Sequence, residues 1–357
     1  MAKKTFLFLI VLLTVKTNFA APQFNLMDPI ADNRYEINTQ ALCATAKETL
    51  AYLNKGNDYD PDVIHAGKAI QIPLDRVKAT LKFVCEHQNE LNNPEFVQAH
   101  FDFIRWYPDQ KQAKQLAATK SLLKHLPSDR ILMTKYYIHL AKAAEKPNDA
   151  KPFALYALPQ DEKNLSLEEA NNKKDLIRLQ FGKQAILKGA LNKHNVPTLA
   201  YLSRNDLEAA LMQGTIVADF GRHKKTFNVH RSNNIGYDAH KNPLEQERFW
   251  YFKQVQGIQG YGKDADYKII VNPEVTFAGD LKQLGLGKLM MVQYANKTGQ
   301  IISRAGILAD TGGAFVNNLY QVDFLTGSYT SKEAYYQATR NIPDYVAAYF
   351  MVLKANS

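Results

Sequence analysis

Cysteine is nearly absent from this chain: Cys43 and Cys85 are the only two in 357 residues. Two thiols cannot staple a small loop-rich scaffold, nor form a four-cysteine metal ribbon. None of the nine histidines falls into the His-Glu-x-x-His spacing that zinc prefers. No metal and no organic cofactor is expected. Long apolar runs are missing too. The run from Phe6 to Val15 covers about ten residues, half of the roughly 20 that a membrane-spanning helix needs. No helix-turn-helix, zinc-finger or RNA-binding signature is present, and the lysines are spread out, which argues against nucleic acid. The chain has no internal repeat and no low-complexity tract.

What is present begins with that short run. Lys3 and Lys4 precede it and Phe19-Ala20-Ala21 follows it, the pattern of a secretory signal peptide cut after Ala20. Residues 1–20 are expected to be removed, leaving a periplasmic or secreted protein. No cysteine follows the run to carry a lipid, so no stable membrane anchor is expected. Losing Lys3, Lys4 and Lys16 lowers the formal charge from +9 to +6, a balance suited to polyanions or a negatively charged envelope. In an oxidising compartment Cys43 and Cys85 are disulfide candidates joining two helix-like segments; two free thiols are the alternative.

Residues 21–130 read as a helical domain. Leu42, Ala46, Leu50 and Leu53 recur at helical spacing, as do Val77, Leu81 and Val84. The segments NPEFVQAHFDFIRWY (93–107) and QAKQLAATKSLLKHL (112–126) continue as expected helices, with Phe96, Phe101, Phe103, Trp106 and Tyr107 as packing core. From residue 131 the texture changes to short strand-like runs broken by turn residues, with a helical interval over about 161–200. The expected class is α+β, a helical front followed by a mostly β body.

Three short motifs invite enzymatic readings. Asp310-Thr311-Gly312 resembles an aspartic-protease triplet, but a pepsin-like chain needs two and only one is present. Ser121-Leu-Leu-Lys124, Ser232-Asn-Asn234 and Lys297-Thr-Gly299 mimic in order the motifs of penicillin-recognising serine enzymes. Ser121, however, sits in an amphipathic segment and Lys297 in a turn. Gly257-Ile-Gln-Gly260-Tyr-Gly262 resembles a phosphate loop but opens no helix.

The stretch GILADTGGAFVNNLYQVDF (306–324) carries more. An apolar run ends at Asp310, paired glycines follow, and Asp323 lies between Val322 and Phe324-Leu325. A turn at Gly312-Gly313 would let two strands bring both carboxylates into one cleft. A carboxylate among apolar neighbours has a raised pKa through desolvation, the property a general acid needs near neutral pH. The bland alternative is that Asp310 caps a turn.

Asp310, Gly312, Gly313, Ala314, Asp323, Phe324 and Gly327 together resemble the "3D" double-psi β-barrel domain of MltA-like lytic transglycosylases. Upstream, Tyr136-Tyr137, the segment LSRNDLEAAL, Val255-Gln256-Gly257 and Val271-Asn272-Pro273 resemble further strands and turns of that family. The resemblance covers about residues 131–354. It implies a β-rich region over 131–265 and a barrel over 266–357, completed by strands from about 131–160. The sequence departs from the pattern at Lys135, where the family has glycine, and at Ile258 and Gln259. The segment supplying the domain's first aspartate is shortened, with Asn272 the nearest polar residue.

The resemblance implies cleavage of the MurNAc–GlcNAc bond of peptidoglycan with a 1,6-anhydro product and no metal or cofactor. Asp323 is then the general acid and base, and Asp310 tunes it. Thr311, Gly312, Gly313, Tyr136, Tyr137, Gln256 and Gly257 are the expected contacts to the glycan strand. The helical front is expected to stabilise the body, gate the groove or bind a protein partner. The alternative function is a glycan-binding envelope scaffold that has lost turnover.

Overall fold

The computed structural model describes residues 22–31 and 33–355; the expected signal peptide lies outside the described residues. The strands are β1 (Gln23–Leu26), β2 (Asn33–Tyr35), β3 (Phe101–Tyr107), β4 (Ile131–Lys142), β5 (Phe153–Tyr156), β6 (Thr198–Leu202), β7 (Thr215–Asp219) and β8 (Lys224–Ser232). They continue as β9 (Trp250–Val255), β10 (Ile258–Gln259), β11 (Ile270–Val271), β12 (Thr276–Ala278), β13 (Leu289–Ala295), β14 (Ile301–Asp310), β15 (Gln321–Tyr329) and β16 (Tyr345–Leu353).

One large mixed sheet runs β1-β3-β16-β13-β14-β12-β15-β4-β7-β8-β9, with β2 alongside β14. Because β4 also pairs with β16, six of these strands, β16, β13, β14, β12, β15 and β4, form a closed circuit. Closure removes sheet edges from this part of the fold. Closure covers the inner face of β13 and the helix Leu74–Glu86 packs outside it, so Leu289 to Val292 are all at 2% exposure or less.

β4 has twelve residues and spans roughly 40 Å at about 3.3 Å per residue. That length lets it serve two cores. Ile131, Met133 and Ile138 pack in the barrel core; Ala141 packs in a second core with Leu155, Leu202, Ile216, Phe227 and Tyr251. The second core defines a smaller lobe on β5 to β9.

The front of the chain departs from the expected helical domain. The helices Thr39–Leu53 and Leu74–Glu86 form as the spacing implied. Asn38 accepts the Ala41 amide at 3.1 Å and caps the first of them. The Cys43 and Cys85 sulfurs are bonded and join the two helices. Their apolar stripes, however, are spent on the barrel: Leu42, Ala46, Leu53, Val77, Leu81 and Val84 belong to the same core as β13 and β14. No separate helical core exists among the described residues.

FDFIRWY is strand β3 rather than helix. Phe101 and Phe103 are buried two residues apart and Trp106 is fully buried. An aromatic run with alternating burial fits a pleated surface better than a helix face. Only Pro94–His100 of that segment is helical. Residues 161–200 are likewise only partly helical, ending in β6, which pairs with β5. No helix among the described residues is long and apolar enough to cross a membrane.

Candidate active site

β12 sits between β14, to which it is parallel, and β15, to which it is antiparallel. Ala278 pairs with Asp310 on one side and Asp323 on the other. Cross-strand partners share a face, so both carboxylates leave the same side of the sheet. Two strand spacings separate their Cα atoms, about 10 Å. The alanine between them leaves that face clear.

Asp310 Oδ2 accepts the Tyr136 hydroxyl at 2.7 Å, and its Oδ1 accepts the Thr311 amide at 2.8 Å. Burial nevertheless dominates. The Asp310 carboxyl is pushed up to about 6 by desolvation, which outweighs both hydrogen bonds and the attraction of Lys268; repulsion from Asp323 adds to the rise. Asp323 is pushed up to about 6 by the same cause, against the pull of Gln321, Lys120 and Lys135. Its Oδ1 is buried with no hydrogen-bond partner among the described residues. Desolvation and the Asp310 charge raise the Tyr136 hydroxyl well above its ordinary value, so it stays a donor.

A cleft of about 590 Å³ opens between barrel and lobe. Lys135 to Ile138 of β4 form its floor, and the Asp310 carboxylate and Thr311 stand at one wall. Lobe residues Thr215, Asn228 and Val229 stand at another. Tyr136, Tyr137, Tyr261 and Tyr335 line it. Tyr137 stacks on Tyr335 at 4.7 Å between ring centroids. Neighbouring strand residues normally face opposite sides. Here the register of β15 slips by one residue between Leu325 and Ser328, opposite Tyr137. Such bulges re-aim side chains beside functional sites.

Of the residues expected from sequence, Asp310, Thr311, Tyr136 and Tyr137 line the cleft. Asp323 does not; it lies one strand beyond Ala278 and touches the cleft only through its electrostatic influence on Tyr136 and Tyr335. Gly312 and Gly313 are exposed off the lining, and a Cβ on either would meet nothing within 4 Å. The packing of the chain itself therefore does not require glycine there. Gln256 is exposed in the bend after β9, and Gly257 abuts Ile270 instead of the cleft.

The lining residues from this part of the chain are Gln259, Gly260, Tyr261 and Gly262. Gly260 is required: a Cβ there would come within 2.7 Å of the Ala309 carbonyl oxygen. In the Gly257–Gly262 run, which resembles a phosphate loop, Gly260 and Gly262 serve the cleft wall. Lys268 and Tyr335 carried no sequence signal. Lys268 Nζ donates to Asn228 Oδ1 at 3.0 Å across the cleft, and burial lowers its pKa.

The remaining motifs resolve as structure. Asn272 binds Thr45 Oγ1 at 3.1 Å, tying β11 to the first helix. Ser121, Ser232 and Lys297 sit on three different elements, and none lines the cleft.

No protein-family model matches this sequence, and no curated protein sequence does. Solved structures share its fold. A membrane-bound lytic murein transglycosylase from Agrobacterium tumefaciens matches with a TM-score of 0.56 at 15% identity, covering 89% of this chain and 93% of that one. E. coli MltA with bound chitohexaose gives 0.57 at 16% identity, covering 94% and 95%. MltA from Neisseria gonorrhoeae gives 0.54 at 14%, covering 87% and 88%. The chain has an MltA-type fold over most of its length.

Proposed function

We propose that the protein is an exported lytic transglycosylase that cleaves peptidoglycan glycan strands in the tyrosine-walled cleft. The observation that carries this reading is a pair of desolvated aspartates, both held near 6, beside a cleft rich in aromatic rings. The matched fold, seen in E. coli MltA with bound chitohexaose, supports an extended sugar chain as occupant. The six-strand circuit is the proposed double-psi barrel of the family. Aromatic faces suit the apolar faces of pyranose rings, and Asn228, Gln259 and Lys135 supply polar contacts.

Ordinary glycosidases use two carboxylates, one for the leaving group and one for water or the sugar. Here one suffices. This reading requires the glycan to extend past the cleft lining, over Ala278, to reach Asp323; Asp323 then donates its proton to the glycosidic oxygen and the bond from the muramyl C1 to that oxygen breaks. The C6 hydroxyl of the same muramyl residue then closes on C1, and its proton returns to Asp323. The products are a new chain end and a 1,6-anhydro ring, with no water consumed. Asp310, whose two oxygens already accept Tyr136 and Thr311, is the better hydrogen-bonded partner, and in this reading it takes the negative charge. Asp323, whose Oδ1 has no donor, is the better holder of the proton. Incubating the protein with murein sacculi and reading products by mass spectrometry tests this; binding without anhydro-muropeptides would favour a scaffold.

The pH dependence follows from the raised carboxyls. The acid must be protonated, and near pKa 6 it is about nine-tenths protonated at pH 5 and about one-tenth at pH 7. Turnover is therefore expected to fall about tenfold between those values. Stability moves the same way. A carboxyl raised from 3.8 to about 6 in the fold binds more protons folded than unfolded, so stability declines as pH rises from about 4 to about 6. Rates on solubilised glycan at constant ionic strength check this; turnover rising from pH 5 to 7 would contradict it.

A further inference from the structure

The chain passes between barrel and lobe twice, once along β4 and once along the segment after β9. β4 is held by pairing at both ends. The return crossing is joined to the barrel strands, among the described residues, by a single backbone bond, from the Tyr261 amide to the Ala309 carbonyl of β14 at 2.9 Å. It folds as a narrow hairpin in which β10 pairs β11 and the Gly260 amide donates to the Ile269 carbonyl at 2.9 Å. This hairpin carries the cleft-lining residues Gln259 to Gly262 and Lys268.

Its side-chain anchor comes from the front of the chain. Asp60 is 3% exposed. Asp60 Oδ2 accepts the Tyr261 hydroxyl at 2.8 Å and the Tyr52 hydroxyl at 2.8 Å. Tyr52 oxygen in turn accepts the Lys263 amide at 2.9 Å. Lys263 Nζ reaches the Tyr59 carbonyl at 2.7 Å, and Lys55 Nζ lies 3.4 Å from the centroid of the Tyr267 ring. On the opposite side Lys268 ties the same hairpin to Asn228 of the lobe.

We propose that Asp60 is a positioning residue of the cleft: through Tyr261 it pins the 258–271 hairpin to the barrel and so sets the width of the groove. The proposal rests on reading the cleft as a glycan groove. It gives the front segment a role in function without any contact to the reacting atoms. Tyr52 and Tyr261 both donate to a single carboxylate oxygen, and charge-assisted bonds of this kind are the strong ones. Losing the anchor frees a wall that the substrate must then order on binding.

The test compares Asp60→Ala, Asp60→Asn and Tyr261→Phe with the wild-type chain. On solubilised murein glycan, Asp60→Ala, which removes the acceptor for both Tyr261 and Tyr52, is expected to raise KM about tenfold with little change in kcat. Hydrogen–deuterium exchange over 258–271 should quicken by a similar factor. Asp60→Asn keeps an oxygen acceptor and should restore most of both. Tyr261→Phe keeps the ring, loses its bond to Asp60, and stands in if Asp60→Ala does not fold. A purely structural Asp60 would lower the melting temperature and leave the KM-to-kcat split and hairpin exchange alone, which would overturn the proposal. A wild-type protein without turnover would refute the proposed activity, and the exchange comparison would still decide whether the clamp exists.

Discussion

Asp323→Asn is expected to cut release of anhydro-muropeptides from sacculi by about a thousandfold, the usual scale for removing a general acid. The fold should survive. Asparagine has nearly the same volume and keeps one oxygen to accept from Gln321, while the other oxygen of Asp323, Oδ1, makes no hydrogen bond to lose. Removing a buried ionisable group also relieves desolvation, and the melting temperature above pH 6 should hold or rise. Asp310→Asn is a different change. It leaves one oxygen for either the Tyr136 hydroxyl or the Thr311 amide, both now bound to the carboxylate. It also removes the group on which the Asp323 charge acts. Its expected effect is smaller, because the proton-carrying group is left in place. The cleft opens at Asp310, so the reverse ranking is the informative failure. If Asp310→Asn is inactive and Asp323→Asn retains turnover, the proton is carried by Asp310 and the roles exchange.

The cleft was half legible in the sequence, and the reasons are particular. Asp310 and Asp323 showed themselves because charge inside an apolar run is costly and therefore conspicuous. Tyr136-Tyr137 was visible only through resemblance, since adjacent residues on a strand are not expected to share a face. The β15 bulge opposite Tyr137 leaves no local mark in β4. Tyr335 and Lys268 arrive by tertiary packing alone. The helical front misled for a related reason. Val77, Leu81 and Val84 specify an apolar stripe but not its partner, and that partner is the barrel. β3 was missed because aromatic residues fill helix and strand cores alike, and only the two-residue alternation at Phe101 and Phe103 separates them.

Arg178→Ala is expected to destabilise the smaller lobe by about 3–5 kcal/mol, the scale for stranding a buried charge. Arg178 and Glu162 are both fully buried. Arg178 Nε lies 2.9 and 3.0 Å from the two Glu162 oxygens. Its other nitrogens reach the Ser232 carbonyl and, at 3.1 Å, Asn171 Oδ1. Arg231 offers Glu162 a second cation at 2.9 Å but comes from one side only. With Arg178 gone, Glu162 keeps one partner for two oxygens, the Ser232 carbonyl and Asn171 lose a donor, and a cavity the size of the side chain opens. Lysine would not rescue the site, because a point charge cannot fill a planar fork that binds four partners, Glu162, Ser232, Asn171 and Asn234. The barrel shares no member of this network, so calorimetry should resolve two transitions, the lower one belonging to the lobe. Turnover should fall at temperatures between them, because Thr215 and Asn228 of the cleft wall ride on β7 and β8. A single transition at the wild-type midpoint would mean that the buried pair contributes no more than an apolar filling would.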